Sequence, residues 1–141
     1  MRWRGLLRPG ARLEKFLAEV NPIVLGTTRT DGSVHLTPLW FEHRDGFIWI
    51  NGAASRDWLV HLRRDDRVSM LVVDRSKILR RAEILGRVVA ITPDDEFTQI
   101  NRLARRYVGR DFGSRREQRI TVQIEPLRVG GADGQASWDA S

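Results

Sequence analysis

The stretch from Gly26 to Asp74, GTTRTDGSVHLTPLWFEHRDGFIWINGAASRDWLVHLRRDDRVSMLVVD, decides the fold. It reads as three strands closed by two tight turns, then a short basic helix, then a fourth strand. Asp31-Gly32 and Asp45-Gly46 each sit between β-rich runs, and these residue types tolerate the positive φ that primed hairpin turns require. The first strands are therefore expected to meander antiparallel. Ser55 stands where a helix N-cap is needed, ahead of an apolar stripe of Trp58, Leu59 and Leu62. The free N–H groups of that helix start, with Arg56 beside them, offer a place for an anion such as a phosphate.

Outward from this stretch, residues 1–10 are basic with Gly and Pro and are expected to form a loose N-terminal arm. Leu13, Phe16, Leu17 and Val20 recur at helical spacing between Ala11 and Val20, and Asn21-Pro22 stops that helix. Strands are expected from Ile23 to Thr30, Ser33 to His43, Phe47 to Asn51 and Arg67 to Val73. A polar turn, Asp74-Arg75-Ser76-Lys77, leads into a long strand from Ile78 to Thr92, in which Gly86 marks a bulge or bend. Pro93 at a first helical position, with Asp94, Asp95 and Glu96 in the first turn, opens a helix. That helix carries Phe97, Ile100, Leu103, Ala104 and Tyr107 on one face and ends at Gly109. A charged loop from Arg110 to Glu117 precedes a last strand, Arg119 to Val129, which turns Ile120, Val122 and Ile124 inward. The Gly, Ala and Ser of residues 130–141 suggest a flexible tail.

The count is six strands with two to three short helices, joined too tightly for parallel crossovers. The expected class is α+β, β-rich, built as a small antiparallel barrel rather than a doubly wound sheet. At 141 residues, with the arm and tail set aside, residues 11–129 form a single domain able to bury its own core.

Composition removes several kinds of chemistry. The absence of cysteine excludes disulfides, thiolate nucleophiles and thiolate metal sites. No apolar run approaches the roughly 20 residues of a membrane span, and the N-terminal segment lacks a signal peptide's apolar core, so a cytoplasmic protein without membrane contact is expected. The net charge of +6 suggests an anionic partner, but 30% charged residues of both signs also describe an ordinary solvated surface. Nucleic-acid signatures are missing, so nucleic acid is not the expected partner. His35, His43 and His61 fall in no metal-ligand spacing, and no metal site is expected. There is no G-x-S-x-G, and Asp94 to Glu96 are better explained by a helix N-terminus than by acid–base work. A chain without its own nucleophile or metal must borrow its chemistry, and an organic cofactor is the natural source.

The runs DGSVHLTPLWFEHRDGFIWI at 31–50, ASRDWLVHLRRDDRVSMLVVD at 54–74, RRAEILGRVVAI at 80–91, RLARRYVG at 102–109 and ITVQIEPLRV at 120–129 together carry a resemblance. Over about residues 20–130 the chain resembles the pyridoxamine 5′-phosphate oxidase-like flavin and deazaflavin oxidoreductases. The resemblance implies a six-stranded split barrel that forms a homodimer, with FMN or coenzyme F420 in a groove between subunits. It implies that His35, Leu36, Thr37, Pro38, Leu39 and Trp40 line the ring system, and that Ile50 and Asn51 approach the ribityl chain. Ser55 and Arg56 would meet the phosphate, and Arg81 would reach the site from the second subunit. No catalytic residue is singled out.

The function so implied is an FMN- or F420-dependent oxidoreductase passing a hydride between the bound cofactor and a small planar substrate. The alternative is a non-catalytic protein of the same fold that holds a cofactor or haem. Many relatives carry a lysine one turn into the helix after Ser55, in a pattern like S-x-K-x-x-N-L. This chain has Trp58 and His61 at the corresponding positions, with Asp57 adding negative charge, which weakens the phosphate site and leaves FMN, F420 or neither open. Trp58 reads as a core aromatic. Thr37-Pro38 fits either an edge strand or a cofactor-facing bulge, and Trp40 either a wall of the site or a core side chain.

Overall fold

A computed structural model describes residues 9–138, in which alternating apolar residues build a single seven-stranded sheet. Its strands are β1 (Ile23–Thr28), β2 (Val34–Leu39), β3 (Glu42–Arg44), β4 (Phe47–Ala53), β5 (Arg67–Val73), β6 (Arg80–Pro93) and β7 (Arg119–Asp133). Three helices accompany them, α1 (Ala11–Ala18), α2 (Asp57–Arg64) and α3 (Thr98–Val108). The order across the sheet is β2-β1-β5-β6-β7-β4-β3, and every ladder is antiparallel. The fold is therefore α+β and β-rich. No described helix is long and apolar enough to cross a membrane.

The sheet differs from a closed six-stranded barrel in strand count and in closure. The run expected as one strand from Ser33 to His43 breaks at Trp40-Phe41 and becomes β2 and β3. These two strands lie at opposite edges of the sheet although only two residues separate them. Three Cα steps span at most roughly 11 Å, so the sheet must curl until its edges stand side by side. No ladder joins β2 to β3 among the described residues, so the curl is not closed by hydrogen bonds. Phe41, fully buried, turns into the core at this corner. Pro38 pairs with Val24 on one side only, the edge position where a missing N–H costs least.

The two hairpins use different turns. Asp45 and Gly46 both have positive φ, 56° and 81°, the two-residue primed turn expected from sequence. At the other hairpin Arg29 N–H donates to the Ser33 carbonyl and only Gly32 is left-handed. There the Asp31 carboxylate accepts the Ser33 N–H at 2.9 Å, an Asx-type stabilisation of a longer loop.

Gly86 sits beside a register shift, as its place inside a strand suggested. A Cβ there would approach the Glu125 carbonyl oxygen to 2.8 Å, so only glycine lets β6 and β7 come this close. The helix start expected at Pro93 lies further on. Strand β6 runs through Pro93, and α3 begins at Thr98 after Phe97 in a left-handed conformation. Asp94 caps the helix from a distance, its buried carboxylate accepting the N–H groups of Gln99 (3.1 Å) and Ile100 (2.8 Å). Gly109, at φ 76°, ends α3 as predicted.

The core packs Phe16, Ile23, Leu25, Phe41, Ile48 and Ile50 with Leu59, Val72, Ile84 and Ile124. Trp58 belongs to it, lying against Gly52, where an added Cβ would come within 2.3 Å of the indole. Strand β7 runs on to Asp133, past the Val129 that alternation suggested. Trp138, from the segment expected as a flexible tail, is buried, stacks on Phe16 at 5.1 Å and donates its Nε1–H to the Arg81 carbonyl at 2.8 Å. Residues 1–8 of the basic arm and 139–141 of the tail lie outside the described residues.

Arg106 of α3 holds the crossing in place. Its guanidinium donates to the Phe41 carbonyl (3.1 Å) and to the Leu17, Ala18 and Glu19 carbonyls at the end of α1 (3.2, 3.1 and 2.6 Å). These bonds satisfy orphan carbonyls at a helix C-terminus with a positive charge, the favourable sign there. Arg106→Met is expected to cost about 1.5–3 kcal/mol in urea unfolding, the range for hydrogen bonds to a charged group. A loss below about 0.5 kcal/mol would show that the corner does not depend on it.

Candidate functional site

Where the two sheet edges approach, two adjoining clefts of about 490 and 350 Å³ open and share Pro38, Leu39, Asn51, Arg56 and Arg119 as walls. The larger is mainly apolar, with Pro22, Trp40, Ile100, Leu103 and Phe112 around it. The smaller is polar, bounded by His35, Thr37, Asp57 and the start of α2. One ligand could extend through both, or two could meet at their junction.

The junction is fixed by a buried polar network. Asn51 of β4 donates its Nδ2–H to Asp94 Oδ2 (3.1 Å) and Gln99 Oε1 (2.7 Å). Its Oδ1 accepts from Arg119 Nε at 3.0 Å. Arg119, the first residue of β7, pairs with Ala53 and lays its guanidinium over the Phe112 ring at 4.7 Å. Burial holds the Arg119 pKa below its usual value, and the positive charge of Arg56 adds to that, against Glu117 and Asp94. Neither arginine forms an ion pair among the described residues. Two like charges facing one cleft are costly alone and favourable around an anion.

Helix α2 adds to this field. Arg56 is its N-cap residue in extended conformation, and no side chain caps the helix start. Its first N–H groups are therefore free of a side-chain acceptor on the side where Arg56, Asp57 and Trp58 line the polar cleft.

The structure brings His35, Thr37, Pro38, Leu39, Trp40, Asn51 and Arg56 together around these clefts. It does not bring Leu36, Ile50, Ser55 or Arg81 to them. Leu36 is turned outward by strand alternation and is 67% exposed. The Ile50 side chain is in the core. Ser55 is not the N-cap of α2, and its hydroxyl donates to Glu117 instead. Arg81 lies eleven residues along β6 from Thr92, the position in register with Thr121 and hence with Asn51, roughly 35 Å for a straight strand. Arg81 therefore does not reach the cleft of its own chain.

Trp40 is half-buried and stacks on Tyr107 with ring centres 5.5 Å apart and planes 11° from parallel. Tyr107 is anchored in turn, donating to the Asn21 carbonyl at 2.5 Å and accepting the Phe41 N–H at 3.2 Å. Trp40 is thus a wall of the site, while the neighbouring Phe41 is the core aromatic. His35 meets His61 edge-on at 5.5 Å, and His61 Nδ1 shares a 2.9 Å hydrogen bond with Thr27 Oγ1. His35 Nδ1 is buried without a hydrogen-bond partner among the described residues. Sequence reasoning missed Arg119 and Phe112. Arg119 reads as the polar neighbour of inward Ile120, and nothing local announces that Ala53 and the start of α2 lie across from it.

The family model described as pyridoxamine 5′-phosphate oxidase matches residues 10–131. The chain belongs to the pyridoxamine 5′-phosphate oxidase family. An F420 reductase shares its fold at TM-score 0.76 and 23% identity, covering 82% of this chain and 94% of that one. A conserved hypothetical protein of Mycobacterium tuberculosis superposes at TM-score 0.69 and 25% identity, covering 98% of this chain and 89% of that one. A putative pyridoxamine 5′-phosphate oxidase of Listeria innocua does so at 0.61 and 16%, covering 86% and 96%. No curated protein matches the chain in sequence. In this member of the pyridoxamine 5′-phosphate oxidase family, Trp58 is committed to the core and gives α2 no cation in place of lysine. The second positive charge at the cleft comes from β7 instead, as Arg119.

Two imidazoles near these elements titrate abnormally. Burial holds His43 below its usual 6.5, against the attraction of Glu14. His61 is lowered by burial first and then by His35, Arg64 and Arg29, with Asp57 opposing. The unfolded chain therefore takes up protons near pH 6.5 before the folded one does, and stability present above that value is lost as pH falls through it. Thermal melts should show a lower Tm at about pH 5.5 than at about pH 7.5, and a His43→Gln, His61→Gln double variant should narrow the gap. Equal melting temperatures at both values would contradict this.

Proposed function

We propose that the chain is an FMN- or F420-dependent oxidoreductase acting on a small planar substrate. The reading is carried by one observation: Arg56, Arg119 and the uncapped start of α2 converge on the polar end of a cleft whose side is the edge strand β2. Both cofactors present a phosphate on a flexible chain and a flat ring, and this cleft offers a cationic end and a long neighbouring wall. Arg56 suits a phosphate because its planar fork donates in pairs, and the α2 N–H groups favour the same charge. Strand β2 has no ladder on its outer edge among the described residues, so those backbone groups between His35 and Leu39 that point away from β1 are free to meet ring heteroatoms.

Either cofactor, when bound, would supply hydride transfer. The residues of this chain supply position and exclusion of water: Trp40 on one side, with Ile100, Leu103 and Phe112 forming the apolar end. We also propose that the protein is a homodimer. The outer face of the sheet carries a trough of about 450 Å³ along Gly26, Ser69 and Gly86, with exposed Val34 beside it, and a second protomer would cover it. A second protomer is also the route by which Arg81 could serve a cleft.

Titration of the purified chain with FMN and with F420 tests the reading. Binding of one of them, weakened by about 1.5–3 kcal/mol in Arg56→Ala with the fold intact, is the expected result. No uptake of either would overturn it, and unchanged affinity in the variant would move the phosphate elsewhere. Light scattering should give twice the 16.2 kDa of the chain, and a monomer at micromolar concentration would remove the second subunit from the reading.

A further inference from the structure

The turn between β5 and β6 carries large apolar side chains that folding does not call for. Arg80 N–H donates to the Lys77 carbonyl at 2.8 Å, which makes Ile78 and Leu79 the two central residues of a β-turn. Glycine, proline and short polar residues dominate such positions, because they suit the turn's backbone and its exposure to water. Here Ile78 is 72% exposed, the most of any large apolar side chain among the described residues, and Leu79 is 67% exposed. Neither side chain is part of the core.

The tip is pinned at its base and cationic. The Asp74 carboxylate accepts the Ser76 and Lys77 N–H groups at 2.7 and 3.0 Å, and the Asn21 side chain accepts the Arg75 N–H at 3.3 Å. Over residues 74–81, DRSKILRR, four cations stand against one carboxylate. Arg80 spends its charge on Glu19 and Asp74, at 2.6 and 3.1 Å. Arg75 and Lys77 are exposed and form no ion pair among the described residues. Two apolar side chains projecting from a turn, flanked by unpaired cations, match an anionic lipid surface. There apolar groups enter the boundary between headgroups and acyl chains while cations meet the phosphates.

Protein occupants fit the tip less well. The cleft of about 500 Å³ beside it is walled mainly by polar and charged groups, with Ile78 and Leu79 not among them, so the apolar pair does not continue into a larger apolar face. A second copy meeting it tip to tip would set the same cations against one another. The trough proposed above as the dimer face includes the Val68–Gly86 rung, five residues along β5 from the last rung, Val73–Arg81, or roughly 17 Å. We infer that the β5–β6 turn docks reversibly on anionic lipid bilayers, Ile78 and Leu79 entering the interface and Arg75 and Lys77 meeting headgroup phosphates. Contact of this kind needs no membrane-spanning segment. It is independent of which cofactor the cleft takes.

Flotation of the purified full chain with phosphatidylcholine vesicles, with and without about 30% phosphatidylglycerol, tests the inference. The anionic vesicles should take up the chain at least about tenfold more strongly, and added salt should weaken that uptake. A net charge of +6 draws a chain to any anionic surface, so the deciding variant is Ile78→Ser with Leu79→Ser, which leaves the charge unchanged. It should lower the partition coefficient at least about tenfold with an unchanged Tm, since both positions are exposed. Arg75→Ala with Lys77→Ala should lower it by about tenfold or more. Uptake that survives the loss of both apolar side chains would overturn the inference, showing simple charge adsorption. No uptake by either vesicle would also overturn it and leave the tip to a protein partner. Light scattering in which the double serine variant converts a dimer to a monomer would overturn it by assigning the tip to a second copy.

Discussion

The covalent link between opposite edges of one sheet is the constraint on which the rest depends. Leu39 ends β2 at one edge and Glu42 begins β3 at the other, with Trp40-Phe41 between them. A flat seven-stranded sheet would hold those edges roughly 28 Å apart, at about 4.7 Å per strand, and two residues cannot bridge that distance. The sheet therefore curls, and the residues that make the corner divide the labour. Phe41 points into the core, Trp40 faces the cleft, and Arg106 and Tyr107 of α3 bind the backbone from behind. The cleft is a product of that closure. It lies where the edge strand β2 approaches β4 and the start of β7, residues remote in sequence.

The same corner concentrates buried polarity that a core built for stability alone would avoid. Asn51, Asp94 and Gln99 are nearly inaccessible and are linked by hydrogen bonds that leave Gln99 Nε2 without a partner among the described residues, and through Asn51 they aim Arg119. Placing Arg119 beside Arg56 with its solvent partly stripped is unfavourable in isolation, which is the direction in which its pKa moves. An arrangement that costs stability and gains it back only around an anion is what a binding site looks like energetically. The core beneath it, from Phe16 to Ile124 with Trp58 set against Gly52, supplies the rigidity that keeps this geometry from relaxing.

Most of the fold was legible because its signals are local. Asp45-Gly46 needs only its own backbone to make a primed turn, Gly109 only its own φ to end α3, and Gly86 marks its register shift by lacking a side chain. What escaped depended on distant partners. The alternation of Ser33 to His43 carries no sign that the chain leaves one edge and joins the other, since both halves remain extended. Pro93 looks like a helix start, but Asp94 caps α3 from beyond the first turn, and that capping requires Asn51 on another strand to hold the carboxylate. Arg119 and Phe112 are in the same position, because their meaning arises only once β7 lies beside β4. Trp138 follows a Gly-rich stretch that reads as tail, and its anchor is the Phe16 ring more than a hundred positions away. Within the site, the β2 run and Arg56 were readable from the hairpin and the helix start, whereas the second cation was not.

The cationic junction is proposed to recognise the phosphate of a flat redox cofactor. Removing the phosphate from the ligand tests this more directly than altering the protein, because the fold is untouched. The measurement is the dissociation constant of the wild-type chain for FMN against riboflavin, and for F420 against its deazaflavin core without the phosphate tail, at one low ionic strength. At least one phosphate-bearing member should bind tenfold or more tightly than its counterpart, about 1.4 kcal/mol, and added salt should narrow the gap. Equal affinity within each pair would contradict it.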